Sequence, residues 1–152
     1  MGRMEIVRLR AEHRAVQDVL MMIDDALETR GETAWLAAEI GRALEFLARE
    51  LPRHIEGEEA GLFAWAAGDP AACVVLPSLR YEHTALLRMI GEGLRLLAQQ
   101  RVEAAADIAG AVSRLLHQHI ATEERELLSR LLHGMGDQSA WSGVRAVGVS
   151  AA

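Results

Sequence analysis

Hydrophobic residues recur at alternating steps of three and four along the first part of the chain, which is the spacing of one buried helical stripe. This first stripe consists of Ile6, Leu9, Val16, Leu20, Ile23 and Leu27. His13 occupies the step that is missing between Leu9 and Val16. The pattern predicts an amphipathic helix with one polar residue on its buried face.

A second stripe begins after Gly31, which supplies a turn, and ends before the helix-breaking run Gly68-Asp69-Pro70. It comprises Leu36, Ile40, Leu44, Leu47 and Leu51, and it leads into His54 and Glu58. Pro52 lies inside it, where loss of a backbone hydrogen bond costs about 3 kcal/mol. We therefore expect Pro52 to kink or divide the second helix.

Two further stripes follow. The third helix opens at Pro77, a residue suited to the first turn, and its face carries Leu79, Leu86, Ile90, Leu94 and Leu97, with His83 in step between the first two. The fourth runs from about Val102 to Leu132 and shows Ile108, Val112, Leu116, Leu127 and Leu131, with His119 and Glu123 in its gap.

Four amphipathic helices joined by short turns predict an all-α fold, an up-down-up-down four-helix bundle. Aromatic residues make up only 4% of the chain and prolines number three, which also favours helix. At 152 residues the chain suits a single domain. We assign residues 1–133 to the bundle and residues 134–152, rich in Gly, Ser and Ala, to a flexible or docked tail that includes Trp141.

Charge and cysteine content narrow the classes of function. The net charge of −6 comes from scattered charges of both signs without a basic block, so we expect no nucleic-acid partner. The apolar stretches are too short to span a bilayer, and the first residues lack the apolar run of a signal peptide. With Cys73 as the single cysteine, the sequence predicts a cytoplasmic protein without a membrane partner.

On the second and fourth stripes, a histidine is followed by a glutamate four residues later. Residues four apart point in similar directions, so His54 with Glu58, and His119 with Glu123, each present two metal-binding groups to the core. His13 and His54 lie about 18 and 23 residues from the turn at Gly31, and His83 and His119 lie about 17 and 19 from Gln100. All four histidines therefore fall within about two turns of one level of the bundle.

Burial of four histidines and two glutamates without a cation would be costly, whereas one or two divalent ions would compensate the carboxylates and use the imidazole lone pairs. The chain also repeats itself. Glu12-His13-Arg14-Ala15 parallels Glu82-His83-Thr84-Ala85, and the run from His54 through Glu58-Glu59 to Leu62 parallels the run from His119 through Glu123-Glu124 to Leu127. Each half thus supplies two histidines and a share of the glutamates to a two-metal site.

The order H…HxxxE…H…HxxxE on four helices resembles the hemerythrin and HHE cation-binding family over about residues 5 to 133. The resemblance implies a non-haem di-iron centre, oxo- or hydroxo-bridged, with terminal histidine ligands and bridging carboxylates. The implied ligands are His13, His54, Glu58, His83, His119 and Glu123. Imidazole and carboxylate also suit zinc and manganese, so the metal stays open.

The chain departs from oxygen-storage hemerythrins, which carry an extra histidine on the third helix and an aspartate on the fourth. Leu87, four residues after His83, cannot be that ligand. The set of implied ligands is more similar to that of bacterial proteins implicated in iron-centre repair and nitric oxide response. The cysteine-bearing N-terminal segment that is usual in those proteins is absent from this sequence. The resemblance therefore implies binding of, or reaction with, dioxygen, peroxide or nitric oxide rather than simple oxygen storage.

Several functions fit this site. The chain is predicted to be a sensor, carrier or stress-response module, with no catalytic residue assigned. The alternatives are a di-iron oxidoreductase acting on peroxide or nitric oxide, an iron donor for damaged iron centres, and a zinc-stabilised structural bundle. A monomer and a homodimer are both compatible with the sequence.

Other residues near the stripes are given structural roles. Glu12, Glu59, Glu82 and Glu124 adjoin the proposed ligands but point about 100° away, so we expect them on the surface. Surface positions are also favoured for Glu50 and Glu126, although either could orient a ligand imidazole. The remaining expectations are packing for Tyr81, a channel or close packing at Gly61, a solvent-facing His117, a helix end at His133 and a buried, inert Cys73.

Overall fold

The computed structural model describes residues 2–29 and 31–134, and the predicted tail lies outside them from Met135 onward. Helix α1 spans Arg3–Thr29 and α2 spans Thr33–Glu58. Helix α2 continues through a π-helical segment, Glu59–Phe63, into a last α-helical turn, Ala64–Ala66. A 3₁₀ turn, Cys73–Val75, precedes α3, Leu76–Ala98. Helix α4 spans Val102–Thr122 and continues through a second π-helical segment, Glu123–Leu128, into helical residues 129–134.

The helices alternate in direction. Consecutive helices are in contact, and α4 also contacts α1, which closes the bundle. His54, late in α2, bonds Glu12, early in α1, and His119, late in α4, bonds Glu82, early in α3, so both pairs run antiparallel. Over the described residues the chain contains no strand. The predicted all-α four-helix bundle is confirmed.

Two prolines lie within helices, one in a first turn and one in a helix interior. Pro77 lies in the first turn of α3, as the sequence predicts, because its missing N–H is not needed there. Pro52 does not divide α2, which remains α-helical from Thr33 to Glu58. Of the two expected outcomes, division does not occur, because the packing of Leu47, Leu51 and Ile55 in the core holds the helix together across the lost hydrogen bond, and a kink at Pro52 stays a prediction.

The core consists of two apolar clusters on either side of a polar layer. The larger cluster includes Val16, Leu51, Leu86 and Leu116. A smaller cluster lies beyond the polar layer and includes the following residues: Ile6, Leu9, Leu62, Phe63, Leu79, Leu127 and Leu128. On α1 and α3 the chain passes from the smaller cluster through one histidine to the larger, and on α2 and α4 it passes through a histidine and a glutamate in the reverse order. The bundle therefore holds its buried polar residues at one height.

The turn between α3 and α4 is closed by backbone hydrogen bonds from the Arg101 N–H to the Leu96 carbonyl, 2.9 Å, and from the Gln100 N–H to the Leu97 carbonyl, 2.9 Å. Gln100 has φ of 59°, a left-handed conformation that glycine adopts more readily. This turn fixes the antiparallel register of α3 and α4.

Two glycines of α3 provide a matched test of the packing between α2 and α3. A Cβ added at buried Gly93 would lie 2.7 Å from Leu44 Cδ1, whereas one at exposed Gly91 would meet nothing within 4 Å. We expect Gly93→Ala to lower the free energy of unfolding by about 1–3 kcal/mol, because Leu44 is fully buried and has little room to move.

The control substitution, Gly91→Ala, should raise the free energy of unfolding by about 0.5–1 kcal/mol through helix propensity alone. Urea denaturation of both variants checks the pair. Equal effects of the two substitutions would contradict the close approach of α2 and α3 at Gly93.

Candidate metal centre

Each helix contributes to the polar layer at the height set by the two clusters. Helix α1 places His13 there, α2 places His54 and Glu58, and α3 places His83. The fourth helix contributes His119 and, at the first position of its π-helical segment, Glu123. All six side chains are buried, and none is more than 8% exposed. The structure thus brings together the six residues that the sequence selected.

The Nε2 atoms of the four histidines point toward the two glutamates. Glu58 Oε1 lies 3.1 Å from His13 Nε2 and 2.9 Å from His54 Nε2. Glu58 Oε2 lies 3.3 Å from His83 Nε2, and Glu123 Oε1 lies 3.2 Å from His119 Nε2. Glu123 Oε2 completes the set at 3.3 Å from His13 Nε2. Lone-pair donors from all four helices therefore converge on one small region.

These donors form two overlapping groups, each compact enough to hold a metal ion. His13 and His54 with the two glutamates form one group, called here the first position. His83 and His119 with the same two glutamates form the second position. Within each group the ligand atoms lie within 4.8 Å of one another. Because both groups share Glu58 and Glu123, the arrangement suits two cations bridged by two carboxylates.

Several oxygens of this layer have no hydrogen-bond donor. Glu58 Oε2 and both carboxylate oxygens of Glu123 are buried without a partner, since the imidazole nitrogens near them lack hydrogen-bond geometry. In addition, His83 Nε2 and His119 Nε2 face each other at 3.1 Å, where one nitrogen at most can donate. Orphaned carboxylate oxygens and opposed lone pairs are costly in a protein interior but are what a bound cation requires. The residues therefore fit a metal.

A second set of glutamates binds the outer nitrogen of each histidine, and we call these four residues the outer carboxylates. The Nδ1 atoms of His54 and His119 donate to Glu12, 2.9 Å, and Glu82, 2.8 Å. Those of His13 and His83 lie 3.1 Å from Glu124 and Glu59, respectively. A carboxylate at Nδ1 fixes the tautomer that leaves the Nε2 lone pair free for a metal and raises its basicity.

These four glutamates do lie at the surface as expected, exposed or half-buried, but the sequence reasoning missed that each also bonds a histidine of the polar layer. They do point about 100° away from their neighbours on the helix, but an imidazole carries nitrogens on two edges and reaches both directions. His83, for example, spans from Glu58 on its inner edge to Glu59 on its outer edge. The internal repeat could have indicated this role, because it duplicates the outer glutamates together with the inner ligands.

Both π-helical segments occupy equivalent places in the two halves of the chain. One begins directly after Glu58 and the other begins at Glu123. A π turn inserts an additional residue into the helix and is frequent at functional sites. Here it changes the direction of the side chains where the polar layer meets the smaller cluster. Sequence periodicity did not reveal these segments, because the steps of four residues across them, from Glu58 to Leu62 and from Glu123 to Leu127, also occur in an ordinary α-helical stripe.

The electrostatics of the layer favour charged pairs. Burial alone would lower the pKa of His13, but the carboxylates of Glu123 and Glu58 raise that pKa to about 10. In the same way Glu123 outweighs burial and raises the pKa of His119 to about 9. Burial would raise the pKa of Glu58, yet the hydrogen bonds and charges of the surrounding histidines hold it well below its usual value. Without a metal, protons on His13 and His119 compensate the carboxylates.

The other residues considered from sequence lie outside the layer. Tyr81 is 74% exposed, so the expected packing role was wrong, and it contributes nothing to the site. Glu50 and Glu126 pair with Arg49 and Arg125 at the surface, as favoured. His117 is exposed and lies 3.4 Å from Asp24, and His133 lies exposed near the end of the described helix.

Two further expectations, for Cys73 and Gly61, need correction or refinement. Cys73 is half-buried rather than buried, and its thiol donates to the Pro70 carbonyl. Gly61 lines a surface cleft of about 250 Å³ between α1 and α2, together with Gly57, Ala60 and Glu12. The cleft reaches an outer carboxylate, and its lining does not include the six inner residues.

Comparison with known proteins agrees with this geometry. The family model of the hemerythrin HHE cation binding domain matches residues 4–131. The chain therefore belongs to the hemerythrin HHE cation-binding family. Neither curated proteins nor solved structures gave a significant match. None of the helices in the described part of the chain is long and apolar enough to cross a membrane. The family and the buried cluster together indicate metal binding.

The raised pKa values predict how the metal-free protein responds to pH. The pKa of His13 rises from 6.5 in the unfolded chain to about 10 in the folded one, so the folded state binds the proton more tightly. The resulting stabilisation is complete below pH 6.5 and is lost as the pH rises through about 10. We expect the free energy of unfolding of chelator-treated protein to fall over this range in urea titrations.

The variant His13→Gln, which keeps a polar side chain but cannot titrate, should show a shallower fall. A stability that is flat or rises between these pH values, or the same slope in wild type and variant, would contradict the proposed charge state.

Proposed function

We propose that this chain is a di-iron protein that binds or reacts with dioxygen, peroxide or nitric oxide, acting as a sensor, carrier or stress-response module in the cytoplasm. The observation that carries the proposal is the pair of overlapping donor groups that share Glu58 and Glu123. We assign His13, His54, His83 and His119 as terminal ligands and the two glutamates as bridges. Four protein donors at each position leave coordination sites for a small exogenous ligand.

The donor set supports iron over other metals in one respect. Two carboxylates and four imidazoles suit a cation that changes between the +2 and +3 states, because the two bridging carboxylates offset added positive charge. When bound there, a pair of irons would supply open coordination sites and redox change toward the gas or peroxide. The protein contributes the fixed imidazole orientation, the low-dielectric surroundings and the exclusion of bulk water by both apolar clusters.

A zinc-stabilised bundle uses the same donors and is the second candidate. The complete burial of Glu58 and Glu123 favours it as well, since a cation of fixed charge would also relieve the orphaned oxygens. The two candidates differ in colour and redox behaviour.

Metal content tests the ligand assignment. We expect about two irons per chain by elemental analysis of protein produced with ample iron. Glu58→Gln and His119→Gln should abolish the binding of two irons per chain, because each removes a buried donor of the polar layer. The matched controls are Glu56→Gln and His117→Gln, which change exposed residues two positions away.

Both controls should keep the wild-type metal content. Two irons retained by either ligand variant would overturn the assignment, and zinc alone in protein supplied with iron would favour the structural bundle.

Gas titration tests the redox function. The reduced, iron-loaded protein should change its visible absorption stoichiometrically on addition of nitric oxide or dioxygen, whereas the zinc-loaded protein should remain colourless. Sustained consumption over many equivalents would identify an enzyme, and rapid transfer of iron to a metal-free acceptor would identify an iron donor. An iron-loaded protein without any spectral response would contradict gas binding.

A further inference from the structure

The outer carboxylates are not alike in the two halves of the site. Glu12 accepts a hydrogen bond from Arg8 at 2.7 Å, and Glu124 pairs with Arg10 at 3.1 Å. These two glutamates serve His54 and His13, the histidines of the first position. At that position, the outer carboxylate of each imidazole is therefore paired with an arginine.

The second position has no such pairing. Among the ion pairs of the described side chains, neither Glu59 nor Glu82 has an arginine partner, and Glu82 instead accepts from the Ser78 hydroxyl at 3.1 Å. Arg80 lies 5.8 Å from the Phe63 ring centroid, and that ring stacks against His83. Phe63 thus contacts both this arginine and the imidazole, but the arginine forms no ion pair with Glu59 or Glu82.

An arginine changes what an outer carboxylate does for its histidine. The guanidinium draws the carboxylate charge toward itself, so the carboxylate accepts the Nδ1–H proton less strongly and the Nε2 lone pair becomes a weaker donor. The arginine charge also opposes a nearby cation directly. Both effects weaken metal binding at the first position, and among the described residues the pairing of an arginine with an outer carboxylate is absent from the second.

Surface clefts border both histidines of the first position. A surface cleft of about 360 Å³ borders His54 and is lined by Arg8, Arg53 and Glu12 as well. His54 is the most exposed of the four histidines, at 8%. Another cleft, of about 300 Å³, is lined by His13, Arg10 and Glu124. Water therefore reaches the outer edge of His54, whereas His13 borders a cleft but is as buried as the second-position histidines.

We propose that Arg8 and Arg10 make the two metal positions unequal, so that the position of His13 and His54 binds its divalent cation more weakly and exchanges it, while the position of His83 and His119 retains its cation. This inference rests on the proposed two-metal function. It assigns the two arginines as residues that tune affinity through the outer carboxylates and touch neither metal position themselves.

Titration of the metal-free protein with Co²⁺, followed by visible absorption and calorimetry, tests the inference without any activity measurement. We expect two binding events whose dissociation constants differ by about tenfold or more. The double variant Arg8→Gln/Arg10→Gln should tighten the weaker event and bring the two constants within about threefold of each other. His54→Gln should remove the weaker event, and His83→Gln should remove the tighter one.

The matched control is Arg95→Gln, which removes an exposed arginine paired with Glu92 and is not linked to any of the four histidines. It should leave both constants unchanged. Because the arginine variants alter only exposed or half-exposed side chains, they test the proposal even where a histidine variant fails to fold.

Two equal binding events in the wild type, or an unchanged difference in the double variant, would overturn this inference and leave the proposed metal site intact. Absence of Co²⁺ binding would overturn both the inference and the proposed function.

Discussion

The structure depends on the burial of two carboxylates, Glu58 and Glu123, in the middle of a hydrophobic core. Each is fully or almost fully excluded from water, and together they have three oxygens without a hydrogen-bond donor. A buried anion is tolerated only when positive charge stands beside it, from protonated imidazole or from a cation. This requirement accounts for the four histidines that lie at the same height as the two carboxylates. The two apolar clusters above and below, and the helix pair on each side, hold those histidines in place. The bundle can be understood as a scaffold around one polar layer.

Each histidine connects an inner carboxylate to an outer one, and this double use organises the whole site. The inner edges converge on the shared glutamates, and the outer edges bond Glu12, Glu59, Glu82 and Glu124. Because every outer glutamate belongs to a different helix from the histidine it serves, the same hydrogen bonds tie the four helices together. The support of the site and part of the stability of the bundle are therefore one network.

The chain combines a nearly symmetric backbone with an asymmetric distribution of charge. Repeated sequence segments and π-helical segments at similar places give both halves the same types of donor in the same order. The residues beyond the outer carboxylates do not repeat, since arginines adjoin Glu12 and Glu124 while Ser78 adjoins Glu82. Internal duplication thus fixes where the donors lie, and single surface substitutions can adjust the two positions separately. This difference in charge is the basis for the proposed difference in cation affinity between the two positions.

The sequence by itself determined the helices, the bundle and the set of six inner residues, because helical periodicity places every third or fourth side chain on one face and makes a polar residue there conspicuous. What it could not determine were features that depend on neighbouring helices. The continuity of α2 through Pro52 is such a feature, since core packing and not local propensity decides it. The π-helical segments and the role of Glu12, Glu59, Glu82 and Glu124 are others. A residue 100° from the buried face is exposed on an isolated helix, and only the reach of an imidazole from the next helix turns it into part of the site.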